Sequence, residues 1–200
     1  MKKWISLVLA VILVIGTMPT TAFASENTDS MQDLVQAIKN NSTAEIRDAD
    51  GNVVETLTVD VQIQQLASGR STEGNKYAIT CTARSSEDDI TGSKSSGGVL
   101  ASATLVFTDV FGTENILHSV YGYWSGAETD TKYRNVTYAA YNTKDEEIDS
   151  ALYFNVGQSF GYDPTAFKGY TFRVFTYAYI VSNGTTLELK VSTDPSDAEN

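Results

Sequence analysis

Residues 57–63 read LTVDVQI, and within them Leu57, Val59, Val61 and Ile63 alternate with Thr58, Asp60 and Gln62. Successive side chains of an extended chain point to opposite faces, so this spacing predicts a strand with one dry face and one wet face. Wound as a helix, the same four apolar residues would be scattered around the axis and could not be buried together. Just upstream, Asp50-Gly51 supplies a tight turn, because glycine takes the positive φ that primed hairpin turns require.

The two-residue period extends outward from this stretch. It recurs over residues 43–47, 76–84, 99–111, 115–125, 132–142, 151–157, 170–181 and 185–192, which with 57–63 makes about nine strands. The tetrads Gly112-Thr113-Glu114-Asn115 and Ser182-Asn183-Gly184-Thr185 have the composition of hairpin connections. Nine strands with no interleaved helices predict an all-β fold, an antiparallel β-sandwich or a barrel-like relative of it, spanning residues 43–193. Residues 85–98 (SSEDDITGSKSSGG) are small and polar. They form a loop inside the domain, since the strands before them are too few to bury a core alone.

Residues 25–42 stand apart from this pattern as a polar leader followed by one short helix. Ser30 sits three residues before Asp33, an approximate capping box, and Met31, Leu34, Val35 and Ile38 then follow at helical spacing, ending near Asn40-Asn41. The apolar stripe is suited to docking on the sheet. It is too short and too poor in basic residues for a membrane-surface helix.

The amino terminus has the layout of an export signal. Lys2 and Lys3 precede the uncharged apolar run 5–15 (ISLVLAVILVI), Gly16 and Pro19 break it, and Ala22-Phe23-Ala24 offers the small side chains a signal peptidase accepts. Residues 1–24 are therefore expected to be a signal peptide cleaved after Ala24. The run is shorter than the roughly 20 apolar residues of a transmembrane helix, so no stable membrane anchor is expected. Residues 194–200 (DPSDAEN) are a polar tail.

Removing 24 of 200 residues leaves 176, enough for a single self-sufficient core. That suffices without staples, since Cys81 is the only cysteine and cannot form an internal disulfide. Sparing use of cysteine in an exported chain fits a bacterial source. Loss of Lys2 and Lys3 leaves 12 basic against 25 acidic residues, a formal charge of −13. Such a surface repels phosphate backbones and anionic headgroups, so nucleic acid is excluded as a partner.

Aromatic residues mark the candidate binding site. Tyr121, Tyr123 and Trp124 lie within the stretch VYGYWSG at 120–126, and Tyr133, Tyr138 and Tyr141 follow. Exposed tyrosine and tryptophan can stack on sugar rings or peptide side chains while their polar tips keep hydrogen bonds. The strand period sends Tyr121 and Tyr123 to one face and Trp124 to the other, so at least one face of this strand is core.

Catalytic signals are weaker. His118 is the sole histidine, and the period places it on the face of Ile116, Val120 and Trp124; no H-E-x-x-H pair is present. The acidic stretches Asp145-Glu146-Glu147 with Asp149, and Glu87-Asp88-Asp89, read as solvated loops rather than a hydrolytic carboxylate pair. Asp48, Asp50 and Asn52 imitate the start of a calcium loop, but Val53 and Val59 stand where an EF-hand needs glycine and glutamate, and a hairpin turn explains the same residues. Cys81 alternates with Tyr77, Ile79 and Ala83 and reads as a small buried hydrophobe.

The paired segments 99–111 and 115–125 also have the length of a membrane-inserting hairpin. Ser102, Thr104 and Thr108 alternate there with Ala103, Leu105 and Phe107, although Asp109 falls on the apolar face. Three function classes follow from these readings. The favoured one is a secreted, non-catalytic binding or surface-interaction protein, with polysaccharide or a cell-surface protein as ligand and no catalytic residue, metal or cofactor. The alternatives are a secreted membrane-active protein and a secreted hydrolase using a carboxylate pair.

Overall fold

A computed structural model of the chain describes residues 35–67, 74–85, 99–109, 114–125, 131–181 and 184–193. The signal peptide at 1–24, the capping box at Ser30 and Asp33, the loop 86–98, the turn residues Gly112, Thr113, Ser182 and Asn183, and the tail 194–200 lie outside the described residues.

The fold is all-β: two antiparallel sheets of six strands form a sandwich, with one short helix before them. The first sheet runs in the order β2 (Val53–Leu57), β1 (Thr43–Arg47), β12 (Thr185–Ser192), β11 (Thr171–Ile180), β7 (Thr131–Tyr141), β8 (Glu147–Tyr153). In the second, β10 (Phe167–Gly169) is followed by β6 (Asn115–Ser125), β5 (Leu100–Asp109), β4 (Asn75–Arg84) and β3 (Val59–Ala67), while β9 (Ser159–Tyr162) also pairs with β6. The inner faces meet in a dry core that includes Ile79, Leu105, Leu117, Val120, Val136, Phe172, Val174, Leu187 and Leu189. Phe107 of one sheet meets Phe172 of the other edge-on, ring centres 6.2 Å apart. Side chains of this size contribute about 1.5–3 kcal/mol each when fully buried.

The stretch LTVDVQI proves to be the corner where the chain changes sheets. One strand was expected over 57–63; instead β2 ends at Leu57, Thr58 is exposed, and β3 starts at Val59 in the opposite sheet. Leu57 and Val59 are both buried, so the alternation survives because both halves face the same core.

Other differences from the nine expected strands have equally local causes. Strand β8 begins at Glu147, four residues earlier than expected, and takes in acids that read as a loop. Asn142 explains the shift: its Oδ1 accepts hydrogen bonds from the backbone N–H of Lys144 (2.8 Å) and Glu146 (3.1 Å), folding residues 142–146 into a tight turn that returns the chain to the sheet at once. Strands β9 and β10 are too short to show a period. They pair with one edge of β6 in succession, β9 along 120–123 and β10 along 115–117.

Between those two pairings β6 carries a bulge. Val106 faces Ser119 while Phe107 faces Leu117, leaving His118 as the extra residue. The extra residue inverts the face assignment expected from strict alternation. Leu117 and Val120 both point inward, and His118 joins Thr108 on the outer face, its Nε2 2.7 Å from the Thr108 hydroxyl.

The helix, residues 35–41, buries Ala37 and Ile38 and ends at Ser42, whose N–H donates to the Ile38 carbonyl at 2.9 Å. The Ser42 hydroxyl oxygen accepts from the backbone N–H of Ser192 at 3.2 Å and from the Cys81 thiol at 3.7 Å. One serine thus ties the helix end to both sheets. Cys81 is fully buried, as its alternation implied, and burial pushes its thiol up to about 12 despite the Ser42 contact.

Candidate functional site

The outer face of the second sheet carries the expected aromatic residues. Register aligns Tyr123 with Ser102, Thr82 and Asp60 in one row across β6, β5, β4 and β3, and Tyr121 with Thr104, Thr80 and Gln62 in the next. Both tyrosines are nearly half exposed, at 45% for Tyr121 and 46% for Tyr123. The floor beside them is made of hydroxyls: Thr80 and Thr104 bond at 2.9 Å, and Thr82 donates to Ser102 at 3.4 Å.

Ser102, Thr104 and Val106 are themselves buried, so β5 is covered on both faces and does not have the wet side expected of a free hairpin. The short side chains of Ser102 and Thr104 on β5 and of Thr80 and Thr82 on β4 lie between longer ones, Tyr121 and Tyr123 on β6 and Gln62 and Gln64 on β3. The result is a shallow trough with hydroxyls at its base and tyrosine rings along one bank.

Gly122 makes this geometry workable. A Cβ there would lie 2.1 Å from the Ser102 carbonyl oxygen and 2.6 Å from Phe160 Cζ, so no side chain fits between the two tyrosines on the inner side. Trp124 packs in that inner space, its ring centre 5.3 Å from that of Phe160, and is only 3% exposed. Trp124 therefore does not belong with Tyr121 and Tyr123 as a contact residue. It supports their strand from beneath.

The later tyrosines go to three different places. Tyr133 is exposed, at a positive φ of 49°. Tyr141 is covered by the Arg173 guanidinium, 4.2 Å above its ring, and Arg173 also pairs with Asp145 at 2.5 Å. Tyr138 lines a cleft of about 540 Å³ where the β7–β8 edge of the first sheet meets the β9–β10 segment of the second. Its hydroxyl lies 3.3 Å from that of Tyr153, and Tyr153 stacks on Tyr162 with ring centres 3.8 Å apart and planes 15° from parallel. Burial first, then the bond to Tyr153, holds the Tyr138 hydroxyl well above the ordinary phenol range, and burial raises Tyr162 as well. Two carboxylates, Asp149 and Asp163, line the same cleft, and Asp163 accepts a 2.8 Å hydrogen bond from the Ser119 hydroxyl.

Among the described residues no serine–histidine–acid relay forms around His118. His118 contacts Thr108, and burial together with the positive charge of Lys76 lowers its pKa. The neighbouring Ser119 bonds directly to Asp163, so no imidazole stands between serine and acid. The calcium-like residues are a turn: Asp48 Oδ1 accepts from the N–H groups of Asp50 and Asn52, its Oδ2 accepts from the Asn52 side chain, and Gly51 takes a φ of 84°. Those bonds, the Asn52 amide foremost, hold the Asp48 carboxyl below its usual range. Among the described residues no group of three or more His, Cys, Asp or Glu side chains is placed to hold a metal ion.

The cleft escaped the sequence reading because it takes residues from β7, β8 and β9, and β9 gave no periodic signal. Pairs of tyrosines were visible, but not that Tyr138, Tyr153 and Tyr162 converge. No protein-family model, curated protein or solved structure matches the chain, so its function has to be argued from these residues.

Proposed function

We propose that this chain is an exported, non-catalytic binding module that holds a glycan on the outer face of the second sheet. The observation that carries the reading is the pairing of two half-exposed rings, Tyr121 and Tyr123, with the hydroxyl rows Thr104–Thr80 and Ser102–Thr82. Sugar rings present an apolar C–H face and a rim of hydroxyls, and this face offers a π surface for the first and the partly exposed Thr80 and Thr82 hydroxyls, with the exposed Gln62 amide, for the second. Two rings side by side on one strand face are about 7 Å apart along the chain, a spacing that suits neighbouring units of a polymer. The leader at 1–24 supports delivery to the compartment where cell-surface polysaccharides are found.

The test is calorimetry and affinity electrophoresis against a panel of soluble cell-wall and plant polysaccharides. At least one should be retained, and Tyr121→Ala or Tyr123→Ala should each weaken it about tenfold, while Tyr133→Ala leaves it unchanged. Retention that survives loss of both tyrosines, or binding only to a protein ligand, would sink the proposal. Export is checked separately, by whether the protein in the medium begins at Ser25.

A further inference from the structure

We infer that the cleft bounded by Tyr138, Tyr153, Tyr162, Asp149 and Asp163 is a second binding site, one that takes a protonated or quaternary amine. The inference does not rest on the glycan reading, because the residues involved lie on other strands and the two surfaces can be inactivated separately.

Three features converge. First, the cleft is negative without internal compensation: it is lined by two carboxylates and by no lysine or arginine. Asp163 receives one neutral hydrogen bond from Ser119, and Asp149 takes part in no ion pair among the described residues. An inward-facing acid at a sheet edge also discourages another strand from pairing there, but that role needs neither a second acid nor a recess beside it. Register puts Asp149 opposite Ala140, on the same side of the strand as Tyr153, which lies opposite Val136. The acid is thus aimed along the recess instead of the outer face.

Second, the cleft beside the carboxylates is aromatic. Tyr153 and Tyr162 are stacked, and Tyr138 meets Phe167 edge-on with ring centres 5.2 Å apart. Tyrosine faces attract cations through the ring quadrupole, and the attraction grows as the cation loses water. Third, a cleft of about 540 Å³ falls in the range of small-ligand sites and is far larger than one alkylammonium group requires. An anion would face two carboxylates, and a neutral sugar would leave them unpaired. An ammonium group satisfies the carboxylates and the rings together.

Two sources carry that chemistry, an amino sugar with a free amine and a lysine side chain, and the experiment separates them. The intact, isotope-labelled chain is titrated with tetramethylammonium, glucosamine, N-acetylglucosamine and a lysine-containing tripeptide, following the ring and amide signals of Tyr153, Tyr162 and Asp149. Tetramethylammonium should shift these signals and approach saturation at about 10 mM or below. Glucosamine alone joining it identifies a sugar amine, the tripeptide alone identifies lysine, and both together mean that the bare ammonium suffices.

N-acetylglucosamine, which has lost the charge, should bind at least about tenfold more weakly than glucosamine. Asp149→Asn and Asp163→Asn, both exposed and nearly isosteric, should each weaken the cation about tenfold, and Tyr123→Ala should not. If no cation shifts the cleft signals, or if both Asn variants bind tetramethylammonium as tightly as the parent, the assignment is overturned. Loss of polysaccharide binding in Tyr121→Ala with the cleft titration unchanged bears on the glycan platform alone.

Discussion

Gly122→Ala adds a single methyl group in the middle of the binding strand and should cost more stability than its size suggests. The added carbon would sit 2.1 Å from the carbonyl oxygen of Ser102, a backbone atom of the neighbouring strand, and 2.6 Å and 2.9 Å from two carbons of the Phe160 ring. The ring can turn away, but it is already packed on Trp124. The carbonyl can move only if β5 and β6 separate locally. Forced overpacking of this kind costs about 1–3 kcal/mol, and the backbone contact places this substitution at the upper end. At roughly 2–4 °C per kcal/mol for a chain of this size, the melting temperature should fall by about 5–10 °C. Urea denaturation followed by circular dichroism measures the change directly, as a lower midpoint with an unchanged slope. A second variant, Gly122→Ala with Phe160→Leu, should recover only part of the loss, because it relieves the ring and leaves the carbonyl. Unchanged stability in the single variant, or full recovery in the double, would refute the claim that strand-to-strand approach sets this position.

Two further expectations concern the interior, and two were given above for the tyrosine platform and the edge cleft. Ser42→Ala removes the acceptor shared by the Ser192 N–H and the Cys81 thiol, and should lower stability by about 1 kcal/mol in the same urea experiment. Burial raises the Cys81 thiol from 9.0 to about 12, so above pH 9 the unfolded chain releases a proton that the folded chain keeps. Stability supplied by that neutral thiol is complete below pH 9 and is lost as the pH climbs toward 12, at up to about 1.4 kcal/mol per pH unit. Cys81→Ala should flatten the alkaline part of the stability profile, leaving whatever slope Tyr138, Tyr162 and Tyr177, all shifted the same way, contribute. A native thiol that reacts quickly with a thiol reagent at neutral pH would contradict this.

The candidate site divides the same way between what is local and what is not. That Tyr121 and Tyr123 share a face follows from the geometry of any strand, and so does the separation of Trp124 from them. Whether that face was wet depended on Phe160, which comes from a strand without a periodic signal and covers the opposite side. Strict alternation puts His118 on the wrong face because it assumes equal numbers of residues on paired strands. A bulge breaks that equality, and the residues around it gave no notice of one. Likewise, Asp149 read as solvated acid in a loop, and only the turn held by Asn142 carried it into a sheet edge beside the tyrosines.

The amino-acid sequence alone determined that this chain folds as antiparallel strands around one apolar core, because the two-residue period reports which side chains a strand can bury without regard to what lies opposite. It also determined that Cys81 would be buried, since its neighbours at alternate positions are apolar. The tertiary structure alone decided that residues 57–63 cross from one sheet to the other, that the hydroxyls of Ser102 and Thr104 lie at the base of a trough, and that Tyr138, Tyr153 and Tyr162 meet. Those outcomes depend on pairings between residues far apart in the chain. The period along one strand carries no record of its partner.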